Sequence, residues 1–366
     1  MESPIMSRLK LRSLLRMMLL VGSSIGAFWT PASARQRPAA LATASGFVFT
    51  ANEFGNSISR IDLTTGTVET VPVSISAHNV QVTADGQFLL AVGATAGGDH
   101  EEMAVGGQSD IDMDAAGLLL IFKTASFSTG PIATIEVGAH PAHVVVDLTG
   151  KFAFVTNSGD NNVTVVDLAN DVVTAVIPTG AYPHGQRMSP DGKELYVANV
   201  EDGSVSVLDP VGLRELQRIP VGAVPVQVGF TPDGSRVYVS LRDEDKVAVI
   251  DPATREILAT VDVGKGPIQV HSAPDGRFVY VANQGTDKDP SETVSVVEVA
   301  TNTNVATVRT GPGAHGVAVS ADGTLVFITN IFDGTVSVID AKTNMVVANF
   351  AVGEGPNGIT FLPARP

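Results

Sequence analysis

The sequence has no cysteine, a single tryptophan (Trp29) and only 5% aromatic residues among its 366 positions. Without cysteine there can be no disulfides, no covalently attached c-type haem and no thiolate-bound metal. Positive charge is also scarce: 23 basic residues against 38 acidic ones give a formal net charge of -15. No basic stripe interrupts that acidity, so phosphate backbones are repelled and nucleic acid is not an expected partner. Also absent are a nucleophile elbow, an HExxH helix, a glycine-rich phosphate loop and a pair of catalytic carboxylates.

Long apolar runs are missing too. One short run, "MMLLVGSSIGAFW" (17–29), is too brief and glycine-rich for a membrane anchor. It follows Arg8, Lys10, Arg12 and Arg16 and precedes Ala32-x-Ala34, a small-residue cleavage pattern. This predicts a signal peptide over 1–34, cut before Arg35, and an exported protein, periplasmic or secreted, with no membrane insertion afterwards. Cleavage removes four basic residues and Glu2, shifting the formal charge to -18. Residues 35–44 read as a short linker.

Glycine (36) and proline (21) are plentiful, as suits many short strands joined by tight turns. The strands repeat. "GFVFTAN" (46–52), "QFLLAVG" (87–93), "KFAFVTN" (151–157), "KELYVAN" (193–199), "SRVYVSL" (235–241), "RFVYVAN" (277–283) and "TLVFITN" (324–330) follow one another every 41 to 47 residues, with one gap of 64. That period, with alternating apolar residues, is the signature of four-stranded propeller blades. In the fourth unit strand A is "HGQRMS", "SPDG" turns the chain, strand B is "KELYVAN", strand C is "SVSVLD" and strand D is "LQRIPVG". The expected fold is an all-β, seven-bladed β-propeller over 45–363. The first unit lacks a strand A, and "PNGITFLP" (356–363) is a strand A without a blade, so the two should pair and close the ring.

The strands "YVAN" and "FVTN" and the turn "SPDG" resemble the YVTN-repeat β-propellers, a family of exported or surface proteins. The resemblance spans residues 45–363 and implies the propeller fold. It implies no single activity, since propellers serve both as enzymes and as binding platforms. The missing blade tryptophans set the chain apart from the WD-repeat branch.

Alternation of the strands puts the SPDG turns on one face, the bottom, and the D–A and B–C connections on the other, the top. Departures from the repeat are expected on top only. The largest is the insert "ATAGGDHEEMAVGGQSDIDMDAAG" (94–117) of blade 2, which carries Asp99, His100, Glu101 and Glu102. Its "DIDMD" begins like a calcium loop, but Ala115 and Ile121 stand where the turn glycine and the bidentate glutamate belong. Aligning the starts of strand A gives, around the ring, His315, Asn357, His78, Ala142, His184, Val226 and Ile268, with His143 displaced by one position. Four of the seven histidines thus converge on one end of the channel, facing an apolar arc. Neutral imidazoles in this arrangement suit a divalent transition metal such as Zn, Cu or Ni. They could equally hydrogen-bond the inward loops and hold no ligand. Tyr182 and Arg242 on the top face, and Arg187 and His271 deeper in the channel, are candidate contacts for a ligand.

Three functions remain open at this point. The first is a monomeric binding or scaffold protein that takes a protein or small molecule on its top face. The second is a metal-dependent lactonase- or lyase-type enzyme with histidine ligands. The third is a noncovalent tetrapyrrole or quinone site with a histidine as axial ligand.

Overall fold

A computed structural model describes residues 39–96 and 115–364. The predicted signal peptide and the body of the insert, with Asp99, His100, Glu101 and Glu102, lie outside the described residues. None of the described helices is long and apolar enough to cross a membrane.

Seven four-stranded antiparallel sheets form the fold, each running A-B-C-D from the central channel outwards. The fourth blade is representative: Pro183–Met188, Leu195–Asn199, Ser204–Asp209 and Arg214–Pro220. Strands B and C are buried on both faces because each sheet packs against two neighbours, so apolar clusters form between successive blades. Strand D is mostly exposed, with one buried residue near its end, and forms the rim. The bottom turns repeat one device. Asp191 accepts from the Ser189 hydroxyl at 2.7 Å, and Gly192 takes a positive φ of 72° that a side chain would resist.

The ring closes between distant segments. Strand A of blade 1 is Pro356–Leu362, paired antiparallel with strand B, Phe47–Asn52, through Phe47↔Leu362, Val48↔Phe361 and Phe49↔Thr360. Within the segment read as linker, Ala39–Ala42 makes one helical turn, and Leu41 is buried in the cluster between blades 7 and 1.

The bottom face departs from the expected uniformity once. In blade 2 the C–D connection is a 3₁₀ segment, Thr124–Thr129, that buries Phe127. Phe127 meets Phe49 edge-on at 5.4 Å, and the Arg60 guanidinium lies over its ring. This longer connection supplies apolar cover for the seam between blades 1 and 2, so the departure is a packing device. On top, blade 6 carries an extended hairpin, Phe278–Thr286 with Asp289–Glu298. The two described ends of the insert come together at the Ala94↔Gly117 pair, so it rises from a continuous B–C hairpin.

The repeated asparagine that ends strand B has a defined task. Asn199 Nδ2 donates to Ser204 Oγ and Ser206 Oγ at 3.0 and 2.9 Å, clasping strand C across the hairpin. Asn52, Asn283 and Asn330 do the same with their own Ser and Thr partners, and Asn157 with Asn162 and Thr164. The glycine after each preceding strand D makes room for that amide. A Cβ at Gly180 would come within 2.7 Å of the Asn199 side chain.

Candidate metal centre at the channel mouth

Each strand A begins at the top of the channel with a residue that pairs to the end of strand B, followed by a break in register (Pro183↔Asn199, then Gln186↔Val197). The second residue of the strand falls in that break, and its side chain faces the channel mouth. In blades 4 and 7 it is a histidine; in blade 2, where strand A (Ile75–Val82) starts two residues earlier, the residue in the break is the fourth, His78. In blade 3 it is Ala142, and His143 follows one place later. His78, His143, His184 and His315 are all buried, at 3–4% exposure, so their polar atoms need partners.

Three of the four gather. Ring nitrogens of His78, His143 and His184 lie within 4.8 Å of one another, and the ring centroids are 5.0 to 5.8 Å apart. His315 is not in this group. It lines the cavity above, with its Nδ1 buried and unpartnered.

The tautomers follow from the outer partners. His184 Nδ1–H donates to the Val226 carbonyl at 3.2 Å, which leaves Nε2 as a lone pair. His78 Nδ1–H donates to Glu53 Oε1 at 3.0 Å, which does the same for its Nε2. Those two Nε2 atoms then face each other at 3.1 Å, and His143 Nε2 is buried without a partner. Lone pairs converging in this way repel unless a cation sits between them, either a proton or a metal ion. Carboxylate and carbonyl acceptors behind the rings are the usual supports of metal-ligating histidine.

Glu53 was not singled out from the sequence. It follows Asn52, and the corresponding places in blades 4 to 7 hold Val200, Arg242, Gln284 and Ile331, all lining the same cavity. An alignment of the residue after strand B would have shown the one carboxylate in that series. Burial raises the Glu53 pKa, but the neighbouring His78 charge, with hydrogen bonds from His78 and Asn357, outweighs it and holds the carboxylate at about 2. Asn357 Nδ2 reaches Glu53 Oε2 at 2.7 Å. The histidine values fall too, but here burial is the leading cause: burial first, then their own neighbours, lower His143 and His184 well below the ordinary value, and His315 to about 3.

Above the rings opens a cavity of about 680 Å³. Its polar lining is Glu53, Tyr182, His184, Arg242, His315 and Asn357, and its apolar lining is Val226 and Ile268, neighbours on the ring as the strand-A alignment anticipates, with Phe54, Ile331 and Phe332 from blades 1 and 7. Arg242 is buried and paired with Asp243 at 2.7 Å. Burial raises the Tyr182 hydroxyl to about 12. Tyr182 and Val224 hold positive φ angles of 55° and 52° just before the prolines that start strand A, where blades 6, 7 and 1 carry glycine. A β-branched residue in that conformation is strained, and the strain lies in the cavity wall. Arg187, a candidate ligand contact placed deeper in the channel by sequence, does not line this cavity. It is the fifth residue of its strand and lies in a separate chamber below the rings.

The comparisons with known proteins agree with the architecture. A family model described as "Cytochrome D1 heme domain" matches residues 237–354, and one described as "Lactonase, 7-bladed beta-propeller" matches residues 136–263. Each covers about a third of the chain. The chain is a seven-bladed β-propeller. No curated protein matches its sequence. Among solved structures, a functionally unknown protein from Desulfotomaculum acetoxidans is 17% identical, with a TM-score of 0.69 over 88% of this chain and 100% of its own. A candidate 6-phosphogluconolactonase from Bacteroides fragilis is 16% identical, with a TM-score of 0.69 over 88% and 99%. Kuenenia stuttgartiensis hydrazine synthase is 18% identical, with a TM-score of 0.63 over 78% and 89%. At these identities the likeness is one of fold.

Proposed function

We propose that this protein is a ligand-binding propeller that holds a divalent transition metal on His78, His143 and His184 and presents it to a small molecule in the mouth cavity. The supporting observation is the convergence of imidazole lone pairs, with Glu53 and the Val226 carbonyl fixing two rings from behind. Three histidines leave a position open for a ligand or a water molecule. A metal-bound water beside Tyr182 and Arg242 would make lactone and ester hydrolysis the first reactions to assay, a choice consistent with the lactonase match. We read the repeat as of the YVTN type and the chain as exported after cleavage before Arg35.

A second reading has its own support. The apolar residues of the cavity and His315, whose buried Nδ1 has no hydrogen-bond partner and which lies within the stretch matched by the haem-domain model, suit a noncovalent tetrapyrrole.

One preparation of the exported protein tests all of this by elemental analysis, visible absorption and intact mass. About one Zn, Cu or Ni per chain, lost in a His78→Ala/His143→Ala variant, is the expected result. A chain that stays metal-free in micromolar Zn, Cu or Ni overturns the metal centre. An intense visible band lost in His315→Ala would replace it with the tetrapyrrole. A mature mass that does not begin at Arg35 refutes the cleavage site.

A further inference from the structure

Below the histidine rings the channel widens into a second chamber of about 180 Å³, lined almost wholly by polar groups of strand A. Arg187 enters it from blade 4 and His271 from the equivalent place in blade 6, each three residues beyond the mouth position, or about 10 Å deeper. Among the described residues, no carboxylate lines the chamber. Arg187 has no ion-pair or hydrogen-bond partner among the described residues, and burial is the single influence on its pKa, which it lowers. A guanidinium in such a place normally meets a counter-charge.

The surrounding amides specify what is missing. Gln227 and Gln269 commit their Oε1 atoms to the backbone N–H groups of Val228 and Val317, at 2.9 and 3.3 Å. Their amide nitrogens are left as donors, and Gln269, 5% exposed, keeps its Nε2 buried with no acceptor. Gln186 does the reverse. Its Nε2 donates to the carbonyls of His143 and Phe154, and its Oε1 stays buried with no donor. His271 Nδ1–H donates to the Ser272 carbonyl at 2.9 Å, leaving the neutral ring with an acceptor at Nε2. The chamber therefore offers one positive charge, several N–H donors and at least two acceptors without a donor.

We propose that this chamber is a binding site for a small singly charged oxyanion that carries its own O–H, of the hydrogencarbonate or dihydrogenphosphate kind. Its charge answers Arg187, its oxygens take the amide N–H of Gln269, and its hydroxyl satisfies Gln186 Oε1 or His271 Nε2. A divalent, fully deprotonated anion would leave both acceptors facing negative oxygen. The proposal does not depend on the metal centre, although His143 also borders this chamber.

Isothermal titration of the full-length mature chain with inorganic phosphate, on the acid side of its second ionisation, provides the test. One site per chain is expected, with affinity at least tenfold weaker in Arg187→Met and in Gln269→Leu, and sulfate binding at least tenfold weaker than phosphate. Absence of phosphate and hydrogencarbonate binding to the unaltered chain overturns the proposal, as does undiminished binding in both variants. Equal binding of sulfate overturns the requirement for an O–H. Because Arg187→Met could perturb the ring, the site is also to be located by anomalous scattering from arsenate in crystals of the unaltered protein. An arsenic peak between Arg187 and His271 supports the proposal, and a peak only elsewhere refutes it.

Discussion

Four histidines of this propeller, three buried and His271 half-buried, are in forms that resist protonation, which ties its stability to pH. Burial, reinforced by neighbouring positive groups, depresses His143, His184, His271 and His315; His271 falls to about 4 and His315 to about 3. In the unfolded chain all four take up protons near pH 6.5, whereas in the folded chain they do not. The unfolded state then binds more protons, so stability falls as pH drops below that value, by about 1.4 kcal/mol per pH unit for each proton. Glu53 acts in the same direction at lower pH: its depressed value means stability present above the ordinary 4.5 and lost as pH falls towards 2. Urea unfolding at pH 7, 6 and 5 should show a steep decline, and a flat profile would mean that these rings are solvated. At this scale the sequence was partly legible. The histidine arc follows from aligning strand starts, but which three meet does not. That choice depends on the one-residue displacement of His143 and on Glu53, a neighbour in space contributed by another blade.

Among the elements, strand B does more than fill a sheet. Thr156, which precedes the recurrent asparagine in blade 3, accepts from the His143 N–H at 2.9 Å and donates to the His184 carbonyl at 2.7 Å. One hydroxyl thus ties strand A of its own blade to strand A of the next, and both tethered residues belong to the proposed metal centre. Thr329 repeats the clasp between Gly316 and Asn357. Thr156→Val keeps the shape but strands a buried N–H and a buried carbonyl, a cost of about 1–3 kcal/mol each way. The expected outcome is a folded protein with lower thermal stability and at least tenfold weaker Zn binding. Unchanged metal affinity would show that the clasp supports the ring alone. The Thr-Asn pair is visible in the repeat as a motif. Its reach into the neighbouring blade is not, because hydrogen bonds across a seam leave no trace in the period of a single strand.

For the whole molecule, seven blades and their closure were legible, since a two-residue alternation repeated at a fixed interval has few other solutions. The 3₁₀ segment around Phe127 was not, because one aromatic in a polar turn gives no periodic signal. Closure makes a clear demand on the chain. Removing residues 355–366 deletes the inner strand of blade 1 and bares Phe47–Asn52 along one edge. The truncated protein should melt at a lower temperature and form multimers on size-exclusion chromatography. A monomer with an unaltered melting temperature would contradict the pairing.

The same pairing sets the order of events in biogenesis. Glu53 near one end of the propeller is held by Asn357 near the other, and both flank His78. While the chain is being synthesised, or threaded unfolded across a membrane, the blades behind the leading end can fold but the mouth lacks a wall. If the mouth takes a metal as proposed, capture waits for the final strand to arrive, and a nascent or clipped chain would stay empty.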